Sequence, residues 1–288
     1  MKQTVLFKDL GSNRSYKEIW DLQESMLQEN VRLKSEKQSA VSSQQSVVNC
    51  QLSAVNGQLP TPNSQLPTQN SQHTTSNSKF TTPNSQLTIV NPQLSTQNHI
   101  LFVEHNPVYT LGKSGDINHI LIGEKEREQK GIEFFKINRG GDITFHGPGQ
   151  LVGYPILDLD NFKTDLGWYL RHLEEVIIIT MAEYGLKGDR SKGETGVWID
   201  PDISGRERKI CAMGIRCSRW ITMHGFAFNV NTDLDYFNHI IACGIENKQV
   251  TSLQKELGYA IPMSEVKQKV KENFCRVFNV RFVEAASH

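Results

Sequence analysis

One long stretch of this chain has almost no charge, and it limits what the rest can fold into. From Gln38 to Val103 the only Lys, Arg, Asp or Glu is Lys79, and the segment is built from Asn, Gln, Ser, Thr and Pro. It repeats every seven residues. Asn stands at 49, 56, 63, 70, 77, 84, 91 and 98, with Gln two places later at 51, 58, 65, 72, 86 and 93. A period of seven invites a coiled coil, but only one position of the repeat is regularly apolar, so no paired seam exists. Pro60, Pro62, Pro67, Pro83 and Pro92 would break a helix. The repeat unit is too short for a solenoid. The composition predicts a disordered, tandemly duplicated insert at about 38–98 that cannot bury enough apolar surface to fold. A polar segment prone to self-associate as β-structure is the lesser alternative. The fold must then come from residues 1–37 and 99–288, as a single domain that the insert interrupts.

Those flanks read as mixed α and β. Tyr16, Ile19, Trp20, Leu27 and Leu33 recur at helical spacing after Ser15, which predicts a helix over 15–37. Short apolar runs at 100–103, 108–111, 197–199, 210–215 and 226–230 predict strands, while 134–137 precedes the Gly-rich turn at 139–141 and 151–159 is an apolar run interrupted by Pro155. Leu170, Leu173, Ile177 and Met181 share one face of a helix over 166–184. A last helix over 264–278 takes Ser264 as N-cap and turns Val266, Val270, Phe274 and Val277 inward. Without a regular βαβ rhythm the class is α+β.

Bulk properties exclude several functions. Lys+Arg and Asp+Glu both number 31, so the chain lacks the basic surface that general nucleic-acid binding needs. No apolar run reaches the ~18 residues of a membrane span, and Met1–Leu10 has no signal-like apolar core. Five cysteines, an odd number without a CxxC pair, speak against a disulfide framework and for a cytoplasmic location. Cys211 and Cys217 are spaced unlike common zinc ligands, so no metal is expected.

Two constellations carry chemistry. The first is Arg139-Gly140-Gly141-Asp142-Ile143-Thr144-Phe145-His146-Gly147-Pro148-Gly149-Gln150, with Tyr154 beyond it. Glycines at this density let backbone approach a ligand closely, which favours a ligand-binding loop over tight turns around a buried His. It is neither a Walker loop nor a dinucleotide fingerprint. The second runs from Thr195-Gly196-Val197-Trp198 through Lys209 and Ala212-Met213-Gly214 to His224-Gly225-Phe226-Ala227 and Ala242-Cys243-Gly244-Ile245. Lys209 heads an apolar run and Cys243 sits in a turn-like context. On local grounds alone a lone Cys is more often a small buried hydrophobe than a nucleophile. The cations Arg206, Arg208, Lys209, Arg216 and Arg219 face one acid, Glu207, so 205–219 is a candidate docking patch for an acidic partner.

Together with Glu104-His105-Asn106-Pro107-Val108-Tyr109-Thr110-Leu111-Gly112, these segments resemble the lipoyl(octanoyl) transferases, across residues 1–37 and 99–288. The resemblance implies the fold of lipoate- and biotin-protein ligases, a mixed sheet flanked by helices. It implies octanoyl transfer from octanoyl-acyl-carrier protein to lipoyl domains, those of 2-oxoacid dehydrogenase E2 subunits and of the glycine cleavage H protein, with no cofactor. It makes Cys243 the acyl-thioester residue and Lys209 the base that lowers its pKa. The segments from Arg139 to His146, from Ala212 to Gly214 and from Gly225 to Ala227 then bind substrate. His146 and His224 are rival general bases by intrinsic pKa. An ATP-dependent lipoate-protein ligase and an inactive homologue are the competing readings.

Overall fold

The computed structural model describes residues 2–56, 95–241 and 249–285, the stretch 43–56 as backbone only. The chain divides into two compact units, Met1–Val31 with Thr96–His288, and Arg32–Ser95. Cys243 and its neighbours Ala242, Gly244 and Ile245 lie outside the described residues, as does the repeat from 57 to 94.

The first unit is built on one large mixed sheet. Its strands are β1 (Gln3–Asp9), β2 (His99–Val103), β6 (Gln150–Ile156), β7 (Val197–Ile199), β8 (Arg208–Ser218), β9 (Ile221–Asn229), β10 (Gln249–Val250) and β11 (Val280–Glu284). The order is β10-β8-β9-β6-β2-β1-β11, with β7 pairing on β8. The centre is antiparallel, whereas β1 runs parallel to both β2 and β11. A second sheet, β4-β3-β5, is made of β3 (Val108–Leu111), β4 (Glu133–Lys136) and β5 (Ile143–His146).

Each face of the large sheet is covered. On one side lie α3 (Leu166–Ala182) and α5 (Met263–Val277). Tyr169, Leu173, Val176, Ile177 and Met181 of α3 meet Val266, Val270 and Phe274 of α5, all fully buried over Ile100, Phe102, Phe226 and Phe228. Burying each such side chain is worth about 1.5–3 kcal/mol, so this face carries much of the stability. On the other side the start of α1 (Tyr16–Asn56) lays Ile19 and Leu27 against Leu101, Val152, Met223 and Ala227.

The mixed fold matches the sequence reading, with differences at the edges. Helix α1 runs on to Asn56, because the first proline of the repeat, Pro60, comes only after it. Helix α5 starts at Met263, with Pro262 at the capping position and no side-chain cap. Ser264, expected as the N-cap, therefore sits inside the first turn. Among the described residues no helix is long and apolar enough to cross a membrane.

Candidate functional site

Between the α1 face of the large sheet and strand β5 lies a cavity of about 270 Å³. Its floor is β8 and β9, through Ala212, Met213, Gly214, Gly225, Phe226 and Ala227. Its side is the start of the 139–146 segment, and Tyr16, Val152 and Tyr154 complete it. The segment expected to be a single binding loop is in fact a turn followed by two strands, β5 and β6, joined at Gly147–Gly149.

Alternation along β5 turns Phe145 away from the cavity, although Ile143 at the start of the strand still borders it. Thr144 and His146 share a face of β5, and Phe145 points to the other. Phe145 stacks on Tyr236 at 4.5 Å and tilts against Tyr109 at 5.8 Å, outside the cavity. Gly140 also lies outside it, exposed, with its amide donating to the Ile215 carbonyl at 2.9 Å. This bond clamps the 139–141 turn over β8. A Cβ on Gly214 would come within 2.8 Å of the Gly140 carbonyl, so the crossing requires glycine there. Arg139, Gly141, Asp142, Ile143, Thr144 and His146 line the cavity.

Arg139, His105 and His146 are held by hydrogen bonds. Arg139 Nη2 donates to the carbonyl of Thr110 at 2.6 Å and to its Oγ1 at 3.0 Å. His105 Nδ1 donates to the Arg14 carbonyl at 3.3 Å, which leaves Nε2 to accept from the Tyr154 hydroxyl at 2.8 Å. His146 Nδ1 meets Gln150 Oε1 at 2.9 Å, and Gln150 Nε2 donates to Asn229 Oδ1 at 2.9 Å. Tyr16 stacks on the His146 ring at 5.8 Å. Burial pushes the His105 imidazole down to about 4. Burial first, then the charges of Arg139 and Arg216, push His224 down to about 3. His146 is held well below its ordinary value by burial and by neighbouring His105. All three are neutral near pH 7, and so low a basicity speaks against either rival general base.

Lys209 lines the same cavity. Its ammonium lies 4.5 Å over the Trp198 ring and 3.8 Å from the Glu194 carboxylate. Glu194 belongs to the turn 193–196, which α3 anchors from below: Glu174 Oε1 accepts the Gly196 amide at 3.0 Å. Gly196 has a φ of 106°, and a Cβ there would come within 2.4 Å of the Cys211 carbonyl. The Thr195-Gly196-Val197-Trp198 motif is thus the support under Lys209.

Of the cysteines described in full, Cys211 is buried within β8 and burial pushes its thiol up, which leaves it unreactive. The cationic run is open only in part: Arg206 and Arg219 are exposed, whereas Arg208 and Arg216 are engaged in ion pairs. Arg208 is bound to Glu256 at 2.6 Å and to Asp200 at 2.7 Å, and Arg216 to Glu24 at 2.6 Å.

Sequence reasoning did not single out Tyr16, Val152 or Glu194 as site residues. Tyr16 carries no local signal beyond its helical spacing, because its place in the cavity depends on α1 docking across the sheet. Tyr154 and Thr195 stood in the quoted motifs without an assigned role.

Comparison with known proteins places the chain in a family. Residues 86–275 match the lipoyl protein ligase A/B catalytic domain family. An octanoyltransferase of Christiangramia forsetii is 62% identical over 183 residues, 63% of this chain and 78% of that protein. An octanoyltransferase of Flavobacterium johnsoniae is 60% identical over 187 residues, 65% of this chain and 80% of that protein. Among solved structures, a bipartite lipoate protein ligase of Thermoplasma acidophilum superposes with a TM-score of 0.54 at 16% identity, over 66% of this chain and 74% of that one. A lipoate-protein ligase A bound with ATP gives 0.54 at 15% identity, over 66% and 76%. At those identities the structural likeness concerns the fold alone.

Proposed function

The chain belongs to the octanoyltransferases of the lipoyl protein ligase A/B family, and from that premise we propose a two-step transfer through Cys243. The donor is octanoyl-acyl-carrier protein and the acceptors are lipoyl domains, including those of 2-oxoacid dehydrogenase E2 subunits and the glycine cleavage H protein. The observation that carries the reading is Lys209 at the edge of a cavity lined by Ile143, Val152, Met213, Phe226 and Ala227. An ammonium beside a cavity with so much apolar lining suits an acyl chain whose reacting carbonyl stays near Lys209.

In the first step the Cys243 thiolate forms a bond to the octanoyl carbonyl carbon, and the bond to the carrier sulfur breaks. The leaving thiolate takes a proton from the Lys209 ammonium. In the second step the acceptor lysine amine forms a bond to the same carbon and Cys243 leaves as thiolate. Neutral Lys209 takes the proton that the nitrogen loses. An ordinary thiol has a pKa near 8.5, and a nearby ammonium lowers it. The donor is already a thioester, so the route consumes no ATP. Two successive displacements at one cysteine give ping-pong kinetics.

The test is mass spectrometry after mixing the protein with octanoyl-carrier protein. One added octanoyl group, absent in Cys243→Ser, is the expected result. No adduct, or an adduct on Cys211, Cys217 or Cys275, overturns the route. Transfer that strictly requires ATP would favour the lipoate-ligase alternative.

A further inference from the structure

Within that reading, the end of the cavity away from Lys209 poses a separate physical question. Lys209 stands six residues before Ile215 on β8, and Ile215 pairs with His224 on β9. At ~3.3 Å per residue the two ends lie roughly 20 Å apart along the strand. The wall at the far end is polar. His224 lines the cavity and is 2% exposed, yet neither ring nitrogen has a hydrogen-bond partner among the described residues. Gln23 of α1, fully buried, accepts the His224 amide on Oε1 at 3.0 Å, and its Nε2 is likewise without a partner.

The position is also built at a cost. His224 has a φ of 58°, a left-handed conformation that few non-glycine residues adopt. The Gln23 bond holds the His224 backbone in this conformation. A neutral imidazole offers one donor and one acceptor, and the Gln23 amide offers further donors. Buried groups of this kind need partners, and two to four such contacts are what an internal water requires.

We propose that His224 and Gln23 form a hydrated polar stop at the inner end of the acyl cavity, and that this stop sets acyl-chain length. In an apolar tunnel each added methylene strengthens binding by about fourfold, so longer chains are always favoured until they clash. A polar stop reverses that trend. Once the chain terminus reaches the imidazole, a further methylene displaces the water and leaves His224 and Gln23 buried without partners, which is unfavourable.

The experiment is calorimetric binding of unreactive S-alkyl N-acetylcysteamine thioethers, with six- to twelve-carbon chains, to the full chain. Wild type is expected to bind eight carbons more tightly than six, and ten at least about tenfold more weakly than eight. In His224→Leu the ten-carbon ligand should bind at least as well as the eight. His224→Asn keeps hydrogen-bonding groups and tolerates the left-handed backbone, so it should keep the wild-type profile. If thermal unfolding shows that His224→Leu does not fold, Gln23→Met gives the same readout, a ten-carbon penalty reduced to less than about threefold. Wild-type affinity that climbs steadily to twelve carbons overturns the stop. So does a penalty that persists in His224→Leu, or in Gln23→Met where His224→Leu does not fold. Binding needs no turnover, so a normal Cys243 adduct with a flat length profile refutes the stop alone. A sharp profile with no adduct refutes the transfer route alone, and no binding of any ligand refutes both.

Discussion

The Glu174 carboxylate accepts the Gly196 amide at 3.0 Å from a position on α3 that is sealed from solvent. Arg171 and Arg190 reach the same carboxylate at 2.7 and 3.0 Å. Burial pushes the Glu174 pKa up, and the amide and the two guanidinium groups act against that shift. The residue therefore ties α3 to the turn beneath Lys209. Both arginines are partly exposed, so screening reduces what the ion pairs are worth. Glu174→Ala is expected to destabilise the protein by about 1–3 kcal/mol, mostly through the Gly196 amide left without its partner. Urea unfolding at pH 7 measures this, and a loss below about 0.5 kcal/mol would contradict it.

Lys209 is the second point of test. Lys209→Met should lower kcat/KM for octanoyl transfer by about 10²–10⁴, the usual contribution of a positioned acid–base group. Trp198→Leu keeps the Lys209 charge but removes the buried ring beneath it, and in the folded variant should cost kcat/KM about tenfold or less. The pH dependence of Cys243 alkylation by iodoacetamide separates charge from packing. Its midpoint should rise toward about 8.5 in Lys209→Met, and an unmoved midpoint would count against the pairing.

The buried histidines predict an acid-labile fold. His105 and His224 have folded pKa values near 4 and 3, below the ordinary 6.5. Between those values the unfolded chain binds more protons than the folded one, so stability falls as pH falls. The stabilisation is full above pH 6.5 and is lost progressively down to about pH 3–4. For His105 the whole window is worth about 3 kcal/mol. Guanidinium unfolding at pH 7.5, 6.5 and 5.5 should show the decline before most carboxylates titrate, and constant stability over that range would contradict it.

Gly214 tests the crossing of the 139–141 turn over β8. Gly214→Ala sets a methyl group 2.8 Å from the Gly140 carbonyl and 3.1 Å from Arg139 Cδ. Backbone must shift, at a cost of about 1–3 kcal/mol. A fall in Tm together with weaker binding of the eight-carbon thioether is expected. An unchanged Tm would show that the turn gives way freely.

Where the sequence could be read, local pattern was enough. Strand β3 falls at 108–111 as its apolar run indicates, and the inward faces of α3 and α5 follow helical spacing. The motif residues converge because β5 borders the cavity whose floor is the adjacent pair β8 and β9. What could not be read depends on distant partners. β1 and β11 are edge-region strands with few fully buried residues, and their short patterns resemble loops. β5 was hidden by the glycines on both sides of it. Phe145 belongs to the same motif as Thr144 and His146, yet strand alternation turns it the other way. The roles of Tyr16 and Gln23 arise only when α1 docks on the sheet.

Strand β1 sits between β2 and β11, with Gln3 opposite Val280. Strand β1 thus awaits a partner made 277 positions later in the chain. Parallel pairing across such a separation carries a large loop-closure cost and slows folding. Until β11 arrives, β1 presents a bare edge to other chains. Translation rate and chaperone supply should therefore govern the yield of this protein more than the equilibrium stability of the finished sheet.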